Sequence, residues 1–261
     1  MTIRRVSLIL LGIYAVLTLN AVTGGPLGNI PTPVTTLFGF AFAALHAWQR
    51  EGWKGALAML ALVFVVSLLF ESVGVATGLV YGPYHYTEKL GPKFLDLVPY
   101  IIPIAWFMVS YPSFVIAEWL VLPGRPTGGS PRWPQLLLVA AIGGLVMTAW
   151  DVIMDPIMVS GGHWVWDVAG PYYGIPLQNF WGWWLTVFTS YALYLLVRRA
   201  FRAPADIRFD RAALVSYLIT ALGMIIGSFI NGAGDLALIG FFVMLPWFLM
   251  GWLKISRQVE E

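Results

Sequence analysis

Residues 150–184 read WDVIMDPIMVSGGHWVWDVAGPYYGIPLQNFWGWW. This stretch joins two apolar runs, 135–158 and 178–200, through a connection rich in glycine and proline. Each run is about as long as the ~20 residues that carry a helix across a bilayer core. The segment holds six of the 13 tryptophans, together with Asp151, Asp155 and Asp167, and contains no lysine or arginine. Carboxylates without basic partners are costly in such surroundings and mark a functional site.

The rest of the chain extends that pattern. It is 59% hydrophobic and 11% charged, against about 25% charged in a soluble domain, with a mean hydropathy of +0.78. These values predict an all-α, polytopic membrane helical bundle, read as a single integral membrane domain over 1–261. The absence of cysteine excludes disulfides, thiolate nucleophiles and Cys-ligated metals. The opening Met-Thr-Ile-Arg-Arg and the apolar run after it read as a retained first helix, because no small-residue cleavage site follows.

Eight segments predict spans: 6–23, 32–48, 55–80, 99–122, 135–158, 178–200, 212–230 and 235–253. The second is short and opens with Pro31 and Pro33, so seven spans result if it is re-entrant. Basic residues test the count. Thirteen of the 15 fall on one side of this topology, leaving Lys89 and Lys93 opposite. The positive-inside rule then predicts cytoplasmic termini, and the loops 81–98 and 159–177 face outward.

Glu71 falls near the outward end of span three, and Asp151 and Asp155 near that of span five. Gly161, Gly162, Gly170, Pro171, Gly174 and Pro176 make the second loop a series of turns. Irregular backbone at this depth is covered by protein or lines a cavity, so a pocket floored by helix ends and lidded by loops is expected. Asp151 and Asp155 are four apart and share a helix face. Pro156 is expected to limit the helix just beyond them. An acid that keeps its proton in such a site can serve as a general acid. The alternative is structural: capping, or pairing with a loop donor such as Lys89. Glu118 is expected to pair with Arg125, and Asp96, Asp206, Asp210 and Asp235 to be solvated in loops.

The chain has three histidines, His46, His85 and His163, too few for histidine-rich di-iron chemistry. His85 and His163 fall in the outward loops, either as proton shuttles or as histidines hydrogen-bonded within a lid, and no metal-ligand spacing appears. Tyr81, Tyr84, Tyr86, Trp164, Trp166, Tyr172, Tyr173, Phe180, Trp181, Trp183 and Trp184 crowd the same face. An interfacial aromatic belt accounts for some of them, but not for their interleaving with Asp, His and Asn. Aromatic faces stabilise cations, so acids among aromatic rings in an apolar pocket point to carbocation chemistry on a lipid-soluble alkene.

At these residues the chain resembles the carotenoid hydratase family of bacteria and archaea. The matching motifs are Phe70-Glu71-Ser72-Val73-Gly74; Tyr81-Gly82-Pro83-Tyr84-His85-Tyr86 with Leu90-Gly91-Pro92; and Pro99 to Trp106. They continue with Trp150-Asp151 through Asp155-Pro156, Trp164-Val165-Trp166, and Gly170-Pro171-Tyr172-Tyr173 through Trp181-Gly182-Trp183. The likeness covers roughly residues 35 to 200. It implies cofactor-free addition of water to the terminal double bond of an acyclic carotenoid end group. The implied substrates are of the gamma-carotene or lycopene type, or bacterioruberin precursors. The expected partners are the carotenoid and water, with no nucleic acid.

On that reading Asp155 or Asp151 is the acid, and the other of the pair or Glu71 the water-positioning base. Tyr172, Tyr173, Trp164 and Trp166 surround the cation, with Asn179 near the water. Tyr81, Tyr84, His85, His163 and Trp181 complete the expected binding residues. Competing readings are a cyclase or isomerase working through a similar cation, and a carotenoid-binding or transport protein. No internal repeat supports transport. Retinal binding needs a lysine within a span, whereas Lys54, Lys89, Lys93 and Lys254 lie in loops or at helix ends.

Overall fold

The computed structural model describes residues 2–122, 131–198 and 207–260. Among them are seven helices long and apolar enough to cross a membrane. They are α1 (Ile3–Thr23), α2 (Thr32–Thr77), α3 (Ile101–Val121), α4 (Trp133–Ser160), α5 (Leu177–Arg198), α6 (Ile207–Ile230) and α7 (Gly234–Glu260). Four short strands occupy two loops: β1 (Tyr84–Tyr86), β2 (Lys93–Phe94) and β3 (Val98–Pro99) before α3, and β4 (Trp164–Trp166) before α5. The chain is an all-α, multi-pass membrane protein.

Helix α2 accounts for the difference between seven helices and eight expected spans. Its 46 residues would measure about 70 Å if straight, more than twice the ~30 Å hydrocarbon core. It is not straight. Gly52 has φ 75° and ψ 163°, a region only glycine occupies freely. Phe40 and Phe64 would stand about 36 Å apart along a straight axis, yet their ring centroids are 6.1 Å apart. Both arms also reach α3: Phe40 meets Phe107, and Glu71 meets Trp106. Residues 32–51 and 53–77 are therefore antiparallel arms, the second and third expected spans.

Helix α4 corrects one expectation. It does not stop near Pro156 but continues to Ser160, so Asp155 lies more than a turn inside the helix. Proline lacks the N–H that would bond the Val152 carbonyl. The Tyr172 hydroxyl donates to that carbonyl instead, at 2.8 Å. A backbone group freed inside the bilayer is thus satisfied by a neighbouring loop.

The two ends of the bundle differ in kind. At the loop end, β1 and β4 pair antiparallel with Tyr84 opposite Trp166, His85 opposite Val165 and Tyr86 opposite Trp164. Side chains alternate across a strand, so Tyr84 and Tyr86 are buried while His85 is exposed. At the other end Arg50 is buried among acids. Its Nε lies 2.9 Å from Asp210 Oδ1 and its Nη2 2.7 Å from Glu118 Oε2. Arg198 bonds Glu51 through Nε at 2.7 Å and also bonds Glu118. Trp119 Nε1 donates to Asp210 Oδ2 at 2.9 Å, and Tyr194 donates to Glu51 at 3.1 Å.

This network ties α2, α3, α5 and α6 together and revises one expectation. Asp210 is 1% exposed rather than solvated. Glu118 is held in the network as a structural acid, bonded to Arg50 and Arg198. Arg125, Arg199, Arg202 and Asp206 lie outside the described residues. His46 is also buried here, with Nδ1 2.6 Å from the Tyr111 hydroxyl and Nε2 2.9 Å from the Phe209 carbonyl.

Two stability outcomes follow. Arg50→Met withdraws the guanidinium from three buried carboxylates, Glu51, Glu118 and Asp210, and is expected to cost about 3–5 kcal/mol. Gly52→Ala forces a side chain into the glycine-only region and is expected to cost about 1–3 kcal/mol. Unfolding midpoints in mixed micelles check both, and an unchanged Arg50→Met midpoint would show that the network contributes little.

Candidate active site

The three acids singled out from the sequence converge at the loop end. Asp151, Asp155 and Glu71 are 0%, 1% and 3% exposed. Helical spacing puts Asp151 and Asp155 on one face of α4. The first turn of α5 brings Asn179 against both: its Nδ2 lies 2.7 Å from Asp151 Oδ2 and 2.8 Å from Asp155 Oδ2. One side-chain amide therefore bridges two carboxyl groups, with an N–H for each. Trp164 Nε1 of β4 donates to Asp155 Oδ1 at 2.7 Å. Asp151 Oδ1 is buried without a hydrogen-bond partner among the described residues.

Glu71, on the second arm of α2, is held from the other lid strand. Tyr84 and Tyr86 of β1 both donate to Oε2, Tyr86 at 2.9 Å. Trp106 Nε1 of α3 donates to Oε1 at 3.0 Å. Burial, followed by the nearby Glu71 charge, pushes the Tyr84 and Tyr86 phenols well above their usual range, so both remain donors. Tyr81 fixes the ribbon's base. A Cβ on Gly74 or Gly182 would come within 2.7 and 2.6 Å of its ring, and its hydroxyl lies 2.8 Å from Thr186 Oγ1.

These groups border a cavity of about 650 Å³. Glu71, Asp155 and Asn179 line it, together with Tyr81, Tyr84, Tyr86, Trp106, Trp150, Trp164, Trp166 and Trp183. Trp106 and Trp183 stack at 3.9 Å and 17°, and Trp150 meets Trp183 edge-on at 5.6 Å. Among the described lining residues there is no lysine, arginine or histidine. Asp151 is not a lining residue and sits behind Asn179. No group of three or more His, Cys, Asp or Glu is placed to hold a metal among the described residues. The arrangement can supply a proton, carboxylate oxygens and aromatic faces within one apolar chamber.

Several expected binding residues lie elsewhere. His85 is on the outer face of the ribbon, with Nδ1 2.8 Å from Asp167 Oδ1. His163 turns Nδ1 toward the Met158 carbonyl at the end of α4, at 3.2 Å. Tyr172 serves the Val152 carbonyl, and Tyr173 reaches Asp235 at 2.5 Å. Trp181 is 59% exposed and stacks on Trp184 at 4.8 Å. Lys89 bonds the Gly161 carbonyl at 2.6 Å rather than an acid.

Conversely, Tyr86, Trp106, Trp150 and Trp183 belong to the cavity wall without having been assigned a role. Trp183 had a usable signal, standing four residues after Asn179 on the same helix face. Trp150 and Trp106 had none, since a tryptophan at a helix end reads equally as a belt residue.

Thirty per cent identity over 161 residues links the chain to the bisanhydrobacterioruberin hydratase of Haloarcula japonica, covering 62% of this chain and 48% of that protein. The match thus spans about half the length of that relative. No solved structure matches. Residues 32–246 match the family described as carotenoid biosynthesis protein, a range that includes both arms of α2, the lid ribbon and all three acids, and the chain belongs to that family.

Proposed function

We propose that the protein adds water across the terminal double bond of an acyclic carotenoid end group by acid catalysis, without a cofactor. One observation carries the reading: three buried carboxyl groups meet at an aromatic-lined cavity without a basic residue in its described lining. The hydratase named among the relatives supports it.

The hydrogen bonds divide the roles. Three donors converge on Glu71, an arrangement that complements a carboxylate. Asp151 and Asp155 share one amide and have no cation beside them in the cavity wall. Two negative charges so placed are costly to bury, so the pair carries one proton. Asp155 is the member that lines the cavity and is the proton donor.

The Asp155 O–H bond breaks as a C–H bond forms at the less substituted alkene carbon, leaving a tertiary cation. The faces of Trp106, Trp164 and Trp183 stabilise that cation. A water oxygen bonds to it and passes a proton to Glu71, completing the addition. Protons then redistribute from Glu71 to Asp155 for the next turnover. Asp151 holds Asn179 and, through it, the position of Asp155.

The same reading places the protein in the cell membrane. The loop end faces outward and both termini are cytoplasmic, because the arginine-rich segments gather at the opposite end.

Expression in a lycopene- or gamma-carotene-producing host, with mass analysis of the pigments, tests the activity. Hydration adds the mass of one water; cyclisation leaves the mass unchanged and alters the absorbance; a carotenoid-binding protein alters neither. Asp155→Asn and Glu71→Gln are each expected to lower hydration by at least about 10²-fold, as losses of acid–base groups do, while the protein remains folded in the membrane. Asp151→Asn is expected to cost less than Asp155→Asn. Full activity in Asp155→Asn would remove it as the proton donor.

A further inference from the structure

The cavity is longer than the acids require. Besides the residues around Glu71 and Asp155 it is lined by Thr18 and Val22 of α1, Thr35 of α2, and Gly223, Gly227 and Ser228 of α6. Helix α1 packs chiefly on α2 and α6, whereas α5, which supplies Asn179, packs chiefly on α2 and α4. A cavity touching both α1 and α5 crosses the bundle.

Its far arm has a distinct chemistry. The residues named there are apolar or carry only a hydroxyl. The wall is kept thin by glycine: a Cβ on Gly227 would stand 3.6 Å from Val22 Cγ2, and one on Gly223 would come within 2.5 Å of Thr18 Cγ2. Ser228 is 4% exposed, and its Oγ has no hydrogen-bond partner among the described residues. A buried hydroxyl in that state is costly. A π-rich chain offers it a weak acceptor that a saturated chain lacks.

We propose that the arm between α1 and α6 receives the polyene chain of the substrate while the acids act on its terminus, and that Gly227 sets the bore of that arm. This rests on the hydratase reading but concerns how the substrate lies, and it makes Gly227 a specificity residue remote from the acids. An uncharged slot continuous with the acid chamber suits a long conjugated hydrocarbon, which is stiff and has to lie extended.

The chain has no cysteine, so Ser228→Cys would carry the only thiol in the purified 261-residue chain. The rate of its modification by methyl methanethiosulfonate is measured in micelles with and without lycopene. At a lycopene concentration near ten times its Kd, protection of about tenfold is expected from mass action. Phe229→Cys, at a position 72% exposed on the outer surface, is expected to react equally in both conditions. Gly227→Phe is expected to lower lycopene hydration about tenfold or more, because a ring is far larger than the single Cβ that fits against Val22 and has to occupy the slot.

Unprotected Ser228→Cys in a protein that still hydrates lycopene overturns the proposal and leaves the hydratase reading standing. Equal protection by a phospholipid at the same concentration overturns it in favour of an acyl-chain slot. Protection in a protein that hydrates nothing supports the channel and removes the hydratase reading. Full hydration by Gly227→Phe overturns the role of Gly227. If that variant fails to fold, Gly227→Ala, with its Cβ at ordinary contact distance from Val22, is read by the same assay and is expected to show a smaller loss; unchanged hydration there has the same overturning force.

Discussion

Inside a membrane an ionised side chain must meet an opposite charge or give up its own, and this chain does each at a different end. At the end near Gly52, Glu51, Glu118 and Asp210 surround the guanidinium groups of Arg50 and Arg198. At the loop end, Glu71, Asp151 and Asp155 are held by neutral donors: two phenols, two indoles and one amide. Three acids occupy each place, and the difference lies in the partners. Guanidinium groups fix the first set as anions and make it a fastener between helices. Neutral donors orient the second set without an opposite charge to hold it ionised. The first arrangement is suited to stability and the second to acid chemistry.

The helices alone would not complete the second arrangement. Pro156 removes a backbone bond one residue after Asp155, and the loop residue Tyr172 restores it at Val152. The loop after α4 therefore stabilises the helix carrying the acids and also supplies Trp164 to one of them. Tyr81, seated against Gly74 and Gly182, anchors the other loop between α2 and α5. Both connections are built into the site, which explains how non-helical backbone is tolerated beside hydrocarbon.

Much of this was legible in the sequence, for physical reasons. Apolar runs of spanning length and one-sided arginines give the bundle its spans. Unpaired acids in an apolar run are rare enough to stand out, and all three converge as expected. The failures concern partners distant in the chain. Arg50 and Asp210 are 160 residues apart, so nothing local indicates that they meet, and Asp210 read as an ordinary loop acid. Trp181 and Trp183 look equivalent in sequence, yet a 200° separation on the helix sends one to lipid and the other to the cavity. The sequence left two readings of His85 open, because a three-residue strand gives too short an alternation to assign its faces, although Tyr84 and Tyr86 on either side turn inward. Tyr172 was singled out correctly as special, but its hydroxyl serves a carbonyl rather than the cavity.

The ribbon also sets the spacing of the chemistry. Strand β1 carries the two phenols that hold Glu71, and β4 carries the indole that holds Asp155. The separation of the two cavity carboxyls is therefore tied to the pairing of Tyr86 with Trp164 and of Tyr84 with Trp166. A one-residue slip would turn one strand's inward rings to the outer face and replace them with His85 or Val165. Such a slip is opposed by burial of Tyr84, Tyr86 and Trp164, by two hydrogen bonds from β1 to Glu71 and one from β4 to Asp155, and by the bonds of Thr87 to Gly162 and His163 and of Asp167 to Pro83 that extend the pairing beyond the strands. On the proposed mechanism, a proton donor and an acceptor that act on different partners, an alkene carbon and a water, need a fixed gap between them. Two strands locked in register across the mouth of the cavity provide that gap more rigidly than two independent loops would.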